Sequence, residues 1–198
     1  MRSNPRSNSR SNSRSNPRLV IGLSGKAKTG KDYICKHLID HFSSAKRYAF
    51  ADHLKELYAE KHGITLLDLE QNKEIHRQGL IDLAEKDLKA NDQAYFGRRF
   101  CRELDYNQID ATIVIITDIR YHAELFFTLG YLEAKHIPQI LIGVQRDGVE
   151  NIQCGWCLDD VKVDHVFHNT LDKTKFKSEM QSLLDLVYNI LSPTQKSL

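Results

Sequence analysis

Gly25-Lys26-Ala27-Lys28-Thr29-Gly30-Lys31-Asp32 is the stretch on which the reading of this chain turns. It satisfies the phosphate-loop pattern G-x-x-x-x-G-K-[ST] at every fixed position but the last. The apolar run Leu19 to Leu23 precedes it, and Ile34, Leu38 and Ile39 follow at helical spacing. A strand, a glycine-hinged turn and a helix start, in that order, make an anion site. Successive backbone N–H groups curl around phosphate oxygens, and the helix end adds positive potential. Gly25 and Gly30 permit bends that a side chain would forbid. Lys31 is then placed to neutralise the β- and γ-phosphates of a nucleoside triphosphate. Asp32 stands where a Ser or Thr hydroxyl usually meets Mg²⁺, and a carboxylate is itself a hard-oxygen ligand for that ion. Lys26 and Lys28 offset its charge. An Asp in the first turn of a helix is also favoured by the dipole, and the two readings are compatible.

Composition narrows the class. The chain has 198 residues, 41% of them hydrophobic, enough for one α/β domain with a real core. No run approaches the ~18 apolar residues of a membrane span. The net charge of +2 is unevenly spread. Residues 1–18 hold five Arg and no acid, which leaves 23 basic against 26 acidic residues in the body. That balance argues against a uniformly basic nucleic-acid binder. The tail repeats Arg-Ser-Asn without an apolar residue after Met1, so nothing offsets the entropy of ordering it, and disorder is expected over residues 1–18. Contact with RNA or an acidic surface through this tail, or phosphorylation of its serines, is the alternative to a plain solvated extension. It has no apolar core for a secretory signal, and Lys196-Ser197-Leu198 does not match the peroxisomal Ser-Lys-Leu. Four cysteines give no disulfide framework, which fits a reducing compartment and a cytoplasmic location. Cys154 and Cys157 form a C-x-x-C pair with His165 and His168 downstream, so a metal site has to be weighed. The spacing is too short for a zinc finger, and strand residues three apart point to opposite faces. Two loop thiols are the plainer reading. Monomer is the default.

Beyond the loop, helices alternate with short apolar strands. The spacing predicts a helix over 31–42, a strand over 45–50, and a helix capped by Asp52 with Leu54, Leu57 and Tyr58 facing inward. Residues 65–100 read as helical with a break near Asn91-Asp92. Ala111 to Thr117 reads as a central parallel strand, followed by a helix over 121–132, strands over 139–144 and 161–167, and a long helix over 171–191. The expected fold is α/β: a parallel sheet flanked by helices, with ligands at the strand C-terminal ends. Asp118 and Arg120 lie at the mouth of the central strand, where an acid is the usual second handle on Mg²⁺ and a cation can hold a phosphate. A strand-end Asp–Arg ion pair is the bland alternative. Lys73 and Arg77 share a helix face that can clamp an anion, although Glu70 and Glu74 lie near enough for a solvated network. Lys55 is similar. Arg146 opens a segment, 146–160, that reads as a short lid able to exclude water.

The chain from Leu19 to about Leu191 resembles animal-type phosphomevalonate kinases and, more distantly, phage deoxynucleoside monophosphate kinases. Ser24 to Asp32 looks like the family's phosphate loop, its Asp ending included. Leu54 to Gly63 is similar to the helix after the second strand. Lys73-Glu74 with Arg77, then Tyr95-Phe96 and Arg98-Arg99, resembles the acceptor-binding helices, here about 64–105. Thr117-Asp118-Ile119-Arg120 looks like the family's Asp-x-Arg. The resemblance implies a P-loop NTPase fold of the nucleoside monophosphate kinase type over 19–198. It implies ATP and Mg²⁺ held by Gly25, Lys26, Ala27, Lys28, Thr29, Gly30, Lys31, Asp32 and Arg146, with Asp32 and Asp118 on the metal. It implies a phosphorylated small-molecule acceptor held by Lys55, Lys73, Arg77 and Arg120, with Lys31, Asp32, Asp118 and Arg120 along the phosphoryl path. The acceptor it implies is (R)-5-phosphomevalonate, and the products are 5-diphosphomevalonate and ADP. The family pattern has a second Arg directly after Asp-x-Arg, where this chain has Tyr121. Lys89 is offset from the family's basic residue near the end of the acceptor helix. Only Arg146 stands in a lid that is elsewhere arginine-rich. Glu124, four residues past Arg120, suits the nucleotide kinases.

Two alternatives fit the same residues. A nucleoside or deoxynucleoside monophosphate kinase would use Tyr95 or Phe96 against a base. A nucleotide-binding protein without transfer activity would act through its basic tail.

Overall fold

The computed structural model describes residues 16–106, 108–149, 158 and 160–192. Most of the basic tail, most of the proposed lid, Cys154, Cys157 and the C-terminal tripeptide lie outside the described residues.

Five parallel strands form one sheet in the order β2-β3-β1-β4-β5. They are β1 (Leu19–Ser24), β2 (Ala45–Tyr48), β3 (Ile113–Ile116), β4 (Gln139–Gln145) and β5 (His165–His168). Every residue of β1 and β3 is buried, as expected of strands covered on both faces. The edge strands β2 and β5 carry Lys46, Arg47, His165 and His168 instead. Side chains alternate across the sheet, so each strand feeds two cores. On one face Leu19, Ile21, Leu23, Ile113, Ile115 and Ile142 meet α1 (Lys31–His41) and α7 (Lys173–Leu191) through Ile34, Leu38, Leu183 and Val187. On the other, Val20, Val114, Ile116 and Leu141 meet α5 (Tyr95–Asp105) and α6 (His122–Ala134) through Phe96, Phe100, Leu125 and Leu132.

A third, smaller core of Tyr58, Leu69, Leu80 and Leu83 holds the excursion between β2 and β3 together. That excursion contains α2 (Phe50–His62), α3 (Leu66–Gln71) and α4 (Lys73–Asp82), and α4 runs into a π-helical turn over Leu83–Leu88. The helical stretch expected over 65–100 is thus three helices and a π-turn, broken at 89–94 around the expected Asn91-Asp92. The β2 strand stops at Tyr48, two residues early, because Phe50 already starts α2. The β5 strand begins at His165 rather than Val161, because the 161–164 segment approaches β4 without joining the ladder until Ile142 pairs with His165. No helix among the described residues is long and apolar enough to cross a membrane.

Register places the site. Gly22 pairs with Ile116 and Ser24 with Gly143. The turn after β1 is therefore flanked by the mouth of β3 on one side and of β4 on the other.

Candidate active site

The 25–32 turn is built by backbone geometry more than by side chains. Gly25 has φ +143, and a Cβ there would lie 2.4 Å from the Val144 carbonyl oxygen. Gly30 precedes α1 with φ +97, and its Cβ would meet the Asn169 side chain. Lys28 also takes a left-handed φ of 67. Buried Thr29 ties the turn to itself, its hydroxyl donating to the Lys26 carbonyl at 2.9 Å. Lys31 reaches back over the turn and donates to the Gly25 and Lys26 carbonyls at 2.7 and 2.8 Å. Its ammonium thus stands inside the curl, where the sequence put the phosphate counter-charge. The N–H groups of Ala27, Lys28 and Gly30 find no acceptor among the described residues. Donors left over in a curl around an ammonium are what a polyanion requires. Arg146, at the mouth of β4, points its guanidinium at the Lys28 carbonyl, 3.5 Å away. Loop and Arg146 are therefore brought together as expected.

Beside the loop opens a cavity of about 540 Å³. Ser24, Gly25, Lys26 and Thr29 form one side, and β4 from Gly143 with Arg146, Asp147, Val161, Val163 and Val166 forms the other. It is large enough for a small phosphorylated substrate or part of a nucleotide.

The mouth of β3 differs from expectation. Asp118 accepts hydrogen bonds from the backbone N–H of Phe50 and of Ala51, both at 2.8 Å. It therefore caps α2 from 68 residues away, a job the sequence assigned to Asp52. Asp52 lies in the first turn of α2 and pairs with Arg47 instead. Burial pushes the Asp118 carboxyl above its usual range, against the pull of those two N–H donors and of Arg120 and Arg47. No Asp118–Arg120 ion pair forms among the described residues, and Arg120 is exposed at the strand mouth. The sequence reading missed Arg47. From the end of β2 it approaches Asp32 at 3.7 Å and feels the field of Asp118. Asp32 is itself open to solvent. Among the described residues no group of three or more acidic, His or Cys side chains forms a metal cage. Exposed Asp32 is the carboxylate left open to Mg²⁺, which keeps water and leans on substrate phosphates rather than on an all-protein cage, whereas both oxygens of Asp118 are engaged by the start of α2.

The acceptor-side cations expected on the helices are engaged with acids. Lys55 pairs with Glu70 and lies 3.8 Å from Asp52, and Arg77 lies 3.8 Å from Glu74. Lys73 adds to the field on Glu70. The three cations thus lie among Asp52, Glu70 and Glu74, as the solvated network weighed above would have them. Phe96 belongs to the core and stacks on Phe50, which removes it as a base platform, while Tyr95 stacks on His53.

Residues 23–131, more than half of the chain, match the family model described as phosphomevalonate kinase. The chain belongs to the phosphomevalonate kinase family. The match runs through the loop, the acceptor-side helices, the Asp118-Ile119-Arg120 mouth and most of α6. Solved structures resemble it at low identity. The crystal structure of APE1195 is 12% identical with a TM-score of 0.53, over 90% of this chain and 99% of that one. The Mycobacterium tuberculosis APS kinase CysC in complex with AMPPNP and APS is 12% identical with a TM-score of 0.48, over 87% and 99%. TT1252 from Thermus thermophilus is 18% identical with a TM-score of 0.49, over 90% and 100%. At 12% identity the likeness to APE1195 speaks to fold alone. The P-loop kinase fold of this family member is shown by its parallel sheet and phosphate loop, and the family makes it an ATP-dependent phosphotransferase.

This phosphomevalonate kinase family member carries one cluster that the sequence did not reveal. Lys89 follows the π-turn and is only 1% exposed. Its ammonium lies 3.1 Å from Glu124, 3.7 Å from Glu85 and 2.8 Å from the centre of the Tyr121 ring. The Tyr121 hydroxyl donates to Glu85 at 2.7 Å. Lys89, described above as offset, thus stands directly over the residue that replaces the family's second Arg. Burial draws the Lys89 pKa down and pushes that of Glu124 up, and each opposes the shift of the other. Glu124 is thereby an internal partner of Lys89 in this fold. A Lys and an acid 35 positions apart in sequence carry no local signal that they meet.

Proposed function

We propose that this chain transfers the γ-phosphoryl group of ATP to the phosphate of (R)-5-phosphomevalonate, giving 5-diphosphomevalonate and ADP. The observation that carries the reading is the family match over residues 23–131, which contains the donor loop, the acceptor-side helices and the β3 mouth in one piece. The geometry supports it. Loop amides without an acceptor among the described residues share the turn with the Lys31 ammonium, Arg120 is exposed at the adjoining strand mouth, and a cavity of about 540 Å³ lies between the loop and the end of β4. Both reactants are anions, so the protein's work is to bring negative charges together and neutralise what builds up in line. Lys31 and the loop N–H groups bind the donor phosphates, and Arg146 borders them. Arg120 stands between donor and acceptor. Lys55, Lys73 and Arg77 exchange their carboxylate partners for the acceptor's anionic groups. Asp32 and Asp118 would hold Mg²⁺, which supplies charge neutralisation on the phosphates. No general base is required, because a phosphate acceptor is already ionised near neutral pH.

ADP release coupled to a dehydrogenase reaction, run with (R)-5-phosphomevalonate and with a panel of deoxynucleoside monophosphates, tests the assignment. Turnover with phosphomevalonate alone is expected. Turnover only with nucleotides would replace the acceptor, and ATP binding without transfer to either would leave a nucleotide-binding protein.

A further inference from the structure

Asn169 follows β5 and is buried, held at both ends. Its backbone N–H donates to the Gln145 carbonyl at the end of β4, at 2.8 Å. Its side-chain amide donates to the Thr29 carbonyl of the phosphate loop, at 2.7 Å. The same amide nitrogen lies 2.1 Å from where a Cβ on Gly30 would be, so glycine at position 30 is what lets it reach the loop.

The consequence follows from peptide geometry. The Thr29 carbonyl and the Gly30 N–H belong to one planar trans peptide and point in opposite directions. A partner that pins the carbonyl therefore aims the N–H the other way. The Gly30 N–H has no acceptor among the described residues. It lies at the start of α1, where the helix leaves N–H groups unpaired and the dipole is positive.

We propose that Asn169 is a positioning residue of the nucleotide site. By pinning the Thr29 carbonyl to the outside of the loop, it presents the Gly30 N–H to the donor phosphates. The proposal rests on the reading of this loop as the triphosphate site. Asn169 touches no reacting atom. It couples the ends of β4 and β5 to the loop, so the donor site is organised before nucleotide arrives, which removes an ordering cost from binding.

The test compares N169D and N169A with the wild-type chain. Asp is the same size but cannot donate to a carbonyl, and Ala removes the contact. Calorimetry with ADP reads donor affinity, the coupled assay reads KM for ATP and for the acceptor separately, and thermal unfolding reads stability. N169D and N169A are expected to weaken ADP binding about tenfold or more. KM for ATP should rise, with KM for the acceptor within twofold. A residue that only supports the fold would move both KM values together or lower the melting midpoint alone. Wild-type affinity in N169D overturns the proposal. In the wild-type chain, exchange of the Gly30 amide, followed by NMR, should slow on ADP addition. An unchanged Gly30 amide in a chain that binds ADP overturns the proposal even if both variants fail to fold. A wild-type chain that binds no ADP at all brings down the triphosphate reading, and this proposal with it.

Discussion

Gly30 meets two demands at one position. Its φ of +97 disfavours any L side chain, and its missing Cβ leaves room for the Asn169 amide. Gly30→Ala should therefore destabilise the fold by about 1–3 kcal/mol, read by urea unfolding, and weaken ATP binding beyond what the lost stability explains. Lys31 answers to a different test. Its ammonium bonds two loop carbonyls without closing a core, so Lys31→Ala should leave the unfolding midpoint within a few degrees while kcat/KM falls by about a hundredfold or more. Equal turnover in Lys31→Ala would remove the donor site from this loop. Both glycines and Lys31 were legible in the sequence, because backbone conformation and phosphate charge demand those residue types at that spacing. Arg47 and Asn169 were not. Each contributes through a neighbour that is close only once β2 and β5 have taken their places in the sheet.

At the scale of elements, the start of α2 shows where local rules stop. Helix starts are normally read from a nearby Ser, Thr, Asp or Asn, and Asp52 fits that pattern. The N-cap position is Ala49, with no side-chain cap of its own, and the carboxylate of Asp118 serves the first two N–H groups from the next strand over. Asp118→Ala should thus cost roughly 1–3 kcal/mol, because two part-buried N–H groups lose a carboxylate acceptor. Asp118→Asn should cost less but still measurably, since its amide end meets an N–H donor. If guanidinium unfolding shows Asp118→Ala as stable as wild type, the cap is not worth what its geometry implies. Activity in the same variants should fall further than stability does, if Asp118 also serves Mg²⁺. By contrast α3 obeys its local sequence. Thr65 and Asp68 form a capping box, each satisfying the other's backbone N–H. Apolar runs marked β1, β3 and β4 well, whereas the ends of β2 and β5 shifted, because edge strands carry polar residues and their limits depend on the neighbour's register.

Across the whole molecule, the Lys89 cluster joins the acceptor-side excursion to α6 behind Arg120. A buried ion pair with both partners present is close to neutral in stability, but removing one partner strands a charge. Glu124→Gln and Lys89→Met should each cost about 3–5 kcal/mol by urea unfolding. The double change Lys89→Met with Glu124→Leu should recover most of the loss. Additive costs in the double variant would mean that the two residues do not act as a pair. The same contact ties the π-turn to the helix that follows the β3 mouth, so the single changes should also raise KM for the acceptor more than KM for ATP.

The residue order alone dictated an α/β chain with a polyanion-binding turn, since hydrophobic period, glycine placement and a lysine at fixed spacing are properties of neighbouring positions. It also carried the family, because the loop, the acceptor-side helices and the Asp-x-Arg mouth recur in the same order. Folding in three dimensions settled which partners those residues keep. Asp118 caps a helix, Lys89 lies over Tyr121, and Asn169 grips the loop, because sheet order and helix packing bring together groups that are 68, 32 and 140 positions apart. Local patterns are written along the chain, whereas these contacts exist only where distant segments share a surface.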